Sequence, residues 1–154
     1  MGSGAKPKNK SSNSNGLDID LDHKYAPHSD EEFMNPKQLA FFNRKLNDWR
    51  SELLEESRET LSQLQDSPIR EPDPNDRASS ETDWSIELRT RDRQRKLVTK
   101  IEAAIRRIEQ GEYGYCQVTG EPISLARLGA RPIATMTLEA QERHERKERI
   151  SRDD

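Results

Sequence analysis

Three clusters in this 154-residue chain hold side chains that could do chemistry. Between Asp66 and Asp83, six acids (Asp66, Glu71, Asp73, Asp76, Glu81, Asp83) stand against Arg70 and Arg77, a local charge of -4. Asp73 and Asp76 suit the start of a helix, where the dipole favours negative charge. The same pair could present carboxylates to a basic surface or to a metal held by a partner, although two acids alone make a poor metal site. Between residues 89 and 109, eight Lys and Arg residues face three acids, a net of +5. Such a stretch either solvates an exposed helix or binds phosphate. Duplex recognition is disfavoured, because no aromatics interleave these cations. The third cluster surrounds the single cysteine. Cys116-Gln-Val-Thr119, followed by Thr137-Leu-Glu-Ala140, has the outline of two C-x2-C pairs, yet only Cys116 brings a thiolate and no histidine lies within the module. A structural zinc is not expected. Cys116 reads as a small buried hydrophobe, since Tyr115, Gln117 and Val118 supply no cation to activate it.

The elements that must position these clusters are helical. Asn35-Pro36-Lys37-Gln38 combines a cap, a first-turn proline and a capping-box glutamine. Leu39, Phe42, Leu46, Trp49 and Leu53 follow at spacings of three and four, the alternation that keeps one stripe facing a partner helix. Beyond Leu53 the stripe shifts to Leu61 and Leu64, which predicts looser packing, and Ser67-Pro68 ends the helix near Asp66. Asp73-Pro74-Asn75-Asp76 starts a second helix, which carries Trp84 and Leu88, then Leu97, Ile101, Ala104, Ile105 and Ile108, and ends at Gly111. So short a connection makes the pair antiparallel neighbours.

The fold expected is therefore all-α: a long antiparallel coiled-coil hairpin over 35–110 with its tip near 67–78. A small degenerate zinc-finger-like module spans 111–137, filled by Val118, Ile123, Leu125, Leu128, Ile133, Met136 and Leu138, and a C-terminal helix covers 138–154. Residues 1–16, rich in Gly, Ser, Asn and Lys, read as a disordered tail, and 17–34 as an arm that packs on the module.

Composition narrows the function. With 36% charged residues, 30% hydrophobic, 5% aromatic and a mean hydropathy of -1.14, the chain can fill only a narrow seam. A large enzyme is excluded. The formal charge of -3 gives no global pull toward nucleic acid or anionic membrane, and no apolar run approaches a membrane span or a secretory signal. One lone thiol suits a reducing compartment, so a cytoplasmic location is expected.

The stretches EFMNPKQLAFF, PDPNDRAS, SIELRTRDRQRKLVTKIE, YGYC and LGARP resemble, in order and spacing, the DksA/TraR family of bacterial transcription factors, over roughly residues 25–148. The resemblance implies a non-enzymatic, monomeric regulator of transcription initiation. Its coiled coil would enter the secondary channel of RNA polymerase while the module and last helix grip the rim, with no membrane contact and no sequence-specific DNA binding. The family's D-P-x-D-R-A tip carries over to Asp73, Asp76 and Ala78, and a polymerase-contacting basic face to Arg89 and Arg93. The positions that hold the alarmone ppGpp, the co-regulator of the stringent response, carry over to Lys100 and Arg131. A third basic position of that site is here Gln141, and the Asn of the family's N-R-D-R run is Thr90. The finger positions become Cys116, Thr119, Thr137 and Ala140, which looks like the cysteine-poor branch that functions without zinc. Two other readings of the rod are a transcript-cleavage factor using its tip acids on a polymerase-held magnesium, and a coiled-coil adaptor without polymerase contact.

Overall fold

A computed structural model of the chain describes residues 19–66 and 74–153. The tail 1–16, Leu17 of the arm and Asp73 of the tip motif lie outside them. The described residues form four helices, α1 (Pro36–Asp66), α2 (Pro74–Glu109), α3 (Leu125–Ala130) and α4 (Leu138–Asp153). Strand structure among them is limited to one antiparallel bridge between Tyr115 and Pro122.

The start of α1 follows from its cap. The Asn35 side-chain oxygen accepts from the Gln38 amide at 3.0 Å, and Pro36 fills the first helical position, where no N–H is needed. The Gln38 side chain does not close the expected box onto Asn35. It reaches one residue further back, accepting from Met34 N at 2.8 Å and donating to the His28 carbonyl at 3.3 Å. Gln38 is thereby wholly buried and clasps the arm to α1. Met34 sits at φ 53, in the left-handed region, and its side chain lies against Gly114. Gly114 itself has φ 91, and a Cβ there would stand 3.0 Å from Met34 Cγ and Cε, so glycine is needed for both conformation and space.

At about 1.5 Å per residue, the 31 residues of α1 and 36 of α2 make a hairpin roughly 45 to 55 Å long. The seam expected from spacing is the one that packs. Phe42, Leu46 and Leu53 of α1 and Ile101, Ala104 and Ile108 of α2 are buried in one cluster, with Leu39, Trp49, Leu97 and Ile105 half-buried against it. Register is antiparallel: Phe42 meets Tyr113 with ring centroids 5.6 Å apart, whereas Gln94 donates to Glu56 at 3.2 Å further along. Packing thins away from the module, as the drift of the stripe implies. Leu54, Leu61, Ile86 and Leu88 are exposed there.

The module closes the other end of the same core. Tyr113, Cys116, Ile123, Leu128, Ile133, Ala134 and Ala140 extend the cluster, and Tyr113 Oη, also buried, donates to the Pro132 carbonyl at 2.7 Å. Two residues expected to fill the module do not. Val118 is 68% exposed and Leu138 52%, because the first sits in the tight turn after Cys116 and the second on the outer side of α4's first turn. The short helix α3, not foreseen, is capped by Ser124, whose Oγ accepts from Arg127 N at 3.2 Å, and Lys45 of α1 donates to its Gly129 carbonyl at 2.7 Å. The described part of the arm touches both α1 and the module. Leu21 is buried, Tyr25 stacks edge-on against Phe41, and Phe33 does so against Tyr115. α4 runs to Asp153 and buries little beyond Ala140.

Candidate functional site

The hairpin separates the candidate residues into three places. Asp76 and Ala78 lie in the first turns of α2, at the end of the rod far from the module. Arg89 and Arg93 follow on α2, both exposed, and flank a shallow surface with Ile86, Leu88 and Asp92. Asp92 is held below the usual carboxylate range, first by the hydrogen bond from Lys96 and then by its charge. The Asp92 carboxylate binds Lys96 at 3.0 Å and Arg95 at 2.9 Å, offsetting one of their two charges, and among the described residues no ion pair involves Arg89 or Arg93.

At the base of the rod, Lys100 and Arg131 come together although 31 positions separate them in sequence. Both line a crevice of about 560 Å³ between α2, α3 and α4. Gln141 stands in its wall, with the amide nitrogen donating to Glu145 at 3.0 Å. Spacing alone could not find two further cations there. Arg107 is buried, its guanidinium donating to the Tyr115 carbonyl at 2.9 Å and, at 3.5 Å, to that of Glu112, while one terminal nitrogen has no partner. Arg127 is fixed through its Nε, which donates to the Met136 carbonyl at 2.9 Å. The one available hint was that Arg107 lies two helical turns beyond Lys100 and hence on the same face. Arg127 gave none, because its place depends on α3. An anion with more than one phosphate fits this set better than a neutral ligand, since no carboxylate is paired with Lys100, Arg107 or Arg131 among the described residues.

The finger positions also converge, but into a different chemistry. Thr137 caps α4, its Oγ1 accepting from Ala140 N at 3.3 Å and donating to Cys116 Sγ at 4.0 Å. Cys116 is 3% exposed, as a small hydrophobe should be. No cation acts on the thiol, as its sequence neighbours imply, but its hydrogen bonds do. Burial pushes it up, but hydrogen bonds from the Thr119 side chain and from the backbone at Thr119, Thr137 and Val118 outweigh burial and lower it to about 6. The start of α4 adds its positive dipole end. Sequence neighbours could not reveal this, because Thr137 reaches the sulfur from 21 residues away. With one thiolate, a methyl at Ala140 and no group of three His, Cys, Asp or Glu side chains placed to hold a metal among the described residues, this set does not fit a zinc ion. Thr137 instead turns a ligand position into a helix cap.

Comparison with known proteins accounts for both halves of the chain. Residues 38–108 match the family described as "DnaK suppressor protein DksA, N-terminal domain" and residues 111–146 the "Prokaryotic dksA/traR C4-type zinc finger". A protein of Caulobacter vibrioides named RNA polymerase-binding transcription factor DksA is 63% identical over 130 residues, covering 84% of this chain and 92% of that protein. A protein of the same name from Haemophilus influenzae is 42% identical, covering 80% and 85%. Among solved structures, transcription factor DksA2 from Pseudomonas aeruginosa superposes with a TM-score of 0.69 at 42% identity, covering 76% of this chain and 90% of that one.

Proposed function

The chain belongs to the DksA/TraR family, and from that premise we propose that it binds RNA polymerase and regulates transcription initiation through the secondary channel, together with ppGpp. The observation that carries the reading is the geometry of the hairpin: an acidic tip motif at one end of a rod about 50 Å long, and a cation-lined crevice at the other. In this reading Asp73, Asp76 and Ala78 approach the mobile elements near the polymerase active site and shift the stability of the open complex, whereas Arg89 and Arg93 meet the channel wall. Lys100 and Arg131 hold the phosphates of ppGpp between this protein and the polymerase, where charge-assisted hydrogen bonds are shorter and stronger than neutral ones.

The protein acts as a regulator, without catalysis and without reading DNA sequence, as a cytoplasmic monomer. Among the described residues no helix is long and apolar enough to cross a membrane. It works without zinc. The module is held by the Tyr113 and Cys116 core, by the clasp of Arg107 on the Tyr115 carbonyl and by the Thr137 cap, which together supply what metal binding supplies to a four-cysteine finger.

A pull-down with core polymerase, followed by transcription from a ppGpp-sensitive promoter, tests the proposal. Retention on polymerase and a ppGpp-enhanced change in initiation are expected. Absence of retention would leave a coiled-coil adaptor as the reading, and strong stimulation of RNA cleavage in backtracked complexes would favour the cleavage factor.

A further inference from the structure

Gln141 leaves the crevice one cation short of the family's basic pattern, and the structure places another group beside the vacancy. His144, one turn further along α4, lines the same crevice as Lys100, Arg127 and Arg131. The imidazole is exposed, and its Nε2 lies 3.1 Å from Glu148 Oε1. We infer that His144 is a conditional cation standing in for the basic residue that Gln141 replaces, so that the grip on a polyphosphate anion tightens as the imidazole takes up a proton. The inference rests on the alarmone reading of the crevice and adds a regulation to it.

The charges facing His144 set the sign. From α2 come Lys100 and the buried Arg107, from α3 Arg127, and from the following loop Arg131. Its own helix contributes two carboxylates, Glu145 and Glu148. Glu145 accepts from the Gln141 amide, and Glu148 also has Arg152 at 3.8 Å. With neutral His144, four cations stand against two carboxylates, a net of +2, and Glu148 repels an incoming phosphate. Protonation turns the His144–Glu148 pair from an acid into a neutral ion pair and raises the total to +3. Histidine is the side chain that makes this change between about pH 5 and 8. One unit of charge about 4 Å from a phosphate in a water-exposed site is worth roughly fivefold in affinity.

Polyphosphates also gain protons in this range and lose charge, which opposes the effect, so variants must isolate it. The test measures the ppGpp concentration giving half-maximal regulation with intact protein and polymerase at pH 6.0 and 8.0, for wild type, His144→Gln and His144→Arg. Relative to His144→Gln, wild type should need about fivefold less ppGpp at pH 6.0 and the same amount at pH 8.0. His144→Arg should need less at both. An identical pH ratio in wild type and His144→Gln, with clear ppGpp responses in both, overturns this inference and leaves the alarmone reading standing. No ppGpp response in any variant at either pH overturns the alarmone reading and this inference with it.

Discussion

Replacing Gln38 by leucine tests how the arm is held. In the native protein Gln38 is wholly buried, its Oε1 accepts from Met34 N at 2.8 Å, and its Nε2 donates to the His28 carbonyl at 3.3 Å. Leucine matches its bulk but offers no acceptor, so the Met34 amide is stranded, at a loss of about 1 to 3 kcal/mol. The His28 carbonyl is near solvent and its bond is long, so its loss adds little. Met34 is also held at φ 53, a conformation that stores on the order of 1 to 3 kcal/mol. Freed from Gln38, Met34 relaxes and lifts away from Gly114, and Phe33 leaves Tyr115. Strain relief offsets part of the stranded-amide cost and the lost packing of Met34 and Phe33 adds to it, for a net loss on the order of 1 kcal/mol, read as a urea midpoint lower by roughly 0.5 M. Hydrogen exchange should speed up at residues 21–34 and stay slow at Leu46 and Ile101. Phe33→Ala should then add little on top of Gln38→Leu, since both release the same segment. Unchanged arm protection in Gln38→Leu, or full additivity of the pair, would refute the clasp.

Asp76→Asn should leave the helical content intact, because asparagine serves near a helix start, and should reduce regulation more than polymerase binding; undiminished regulation of a ppGpp-sensitive promoter would make the tip acids mere caps. Tyr113→Phe should lower stability by about 1 to 2 kcal/mol in urea unfolding, since it strands the buried Pro132 carbonyl. The Cys116 thiol, near 6 in the folded protein and about 8.5 unfolded, contributes stability that is complete above the unfolded value and lost as pH falls through the folded one. Wild type should therefore lose more stability than Cys116→Ser between pH 9 and 6, while the serine protein still regulates in reducing conditions. Lys100→Ala or Arg131→Ala should abolish the ppGpp enhancement in a promoter assay yet preserve polymerase binding without ppGpp; equal losses in both would make these residues general contacts.

The rod was legible in the sequence because its determinants are local. The Asn35 cap, the first-turn prolines at 36 and 74, and the three-four spacing from Leu39 to Leu53 act within one or two turns, and the helices start and pack where those signals lie. The module was less legible, because its contacts join distant positions. The Cys116 thiol is governed by Thr137, and the crevice brings Arg127 to Lys100 only through a six-residue helix whose propensity signal is slight. Apolar type alone misled at Val118 and Leu138. In so small a module a turn residue and a helix's outer face stay wet, whatever their hydrophobicity.

Site-specific photocrosslinking from position 76 to core RNA polymerase tests the central claim most directly. With the rod inserted, a crosslinker at this end of α2 should label polymerase segments lining the secondary channel near the active site, and excess unlabelled protein should suppress the labelling. Crosslinks confined to the outer surface of polymerase, or none despite stable binding, would contradict the account.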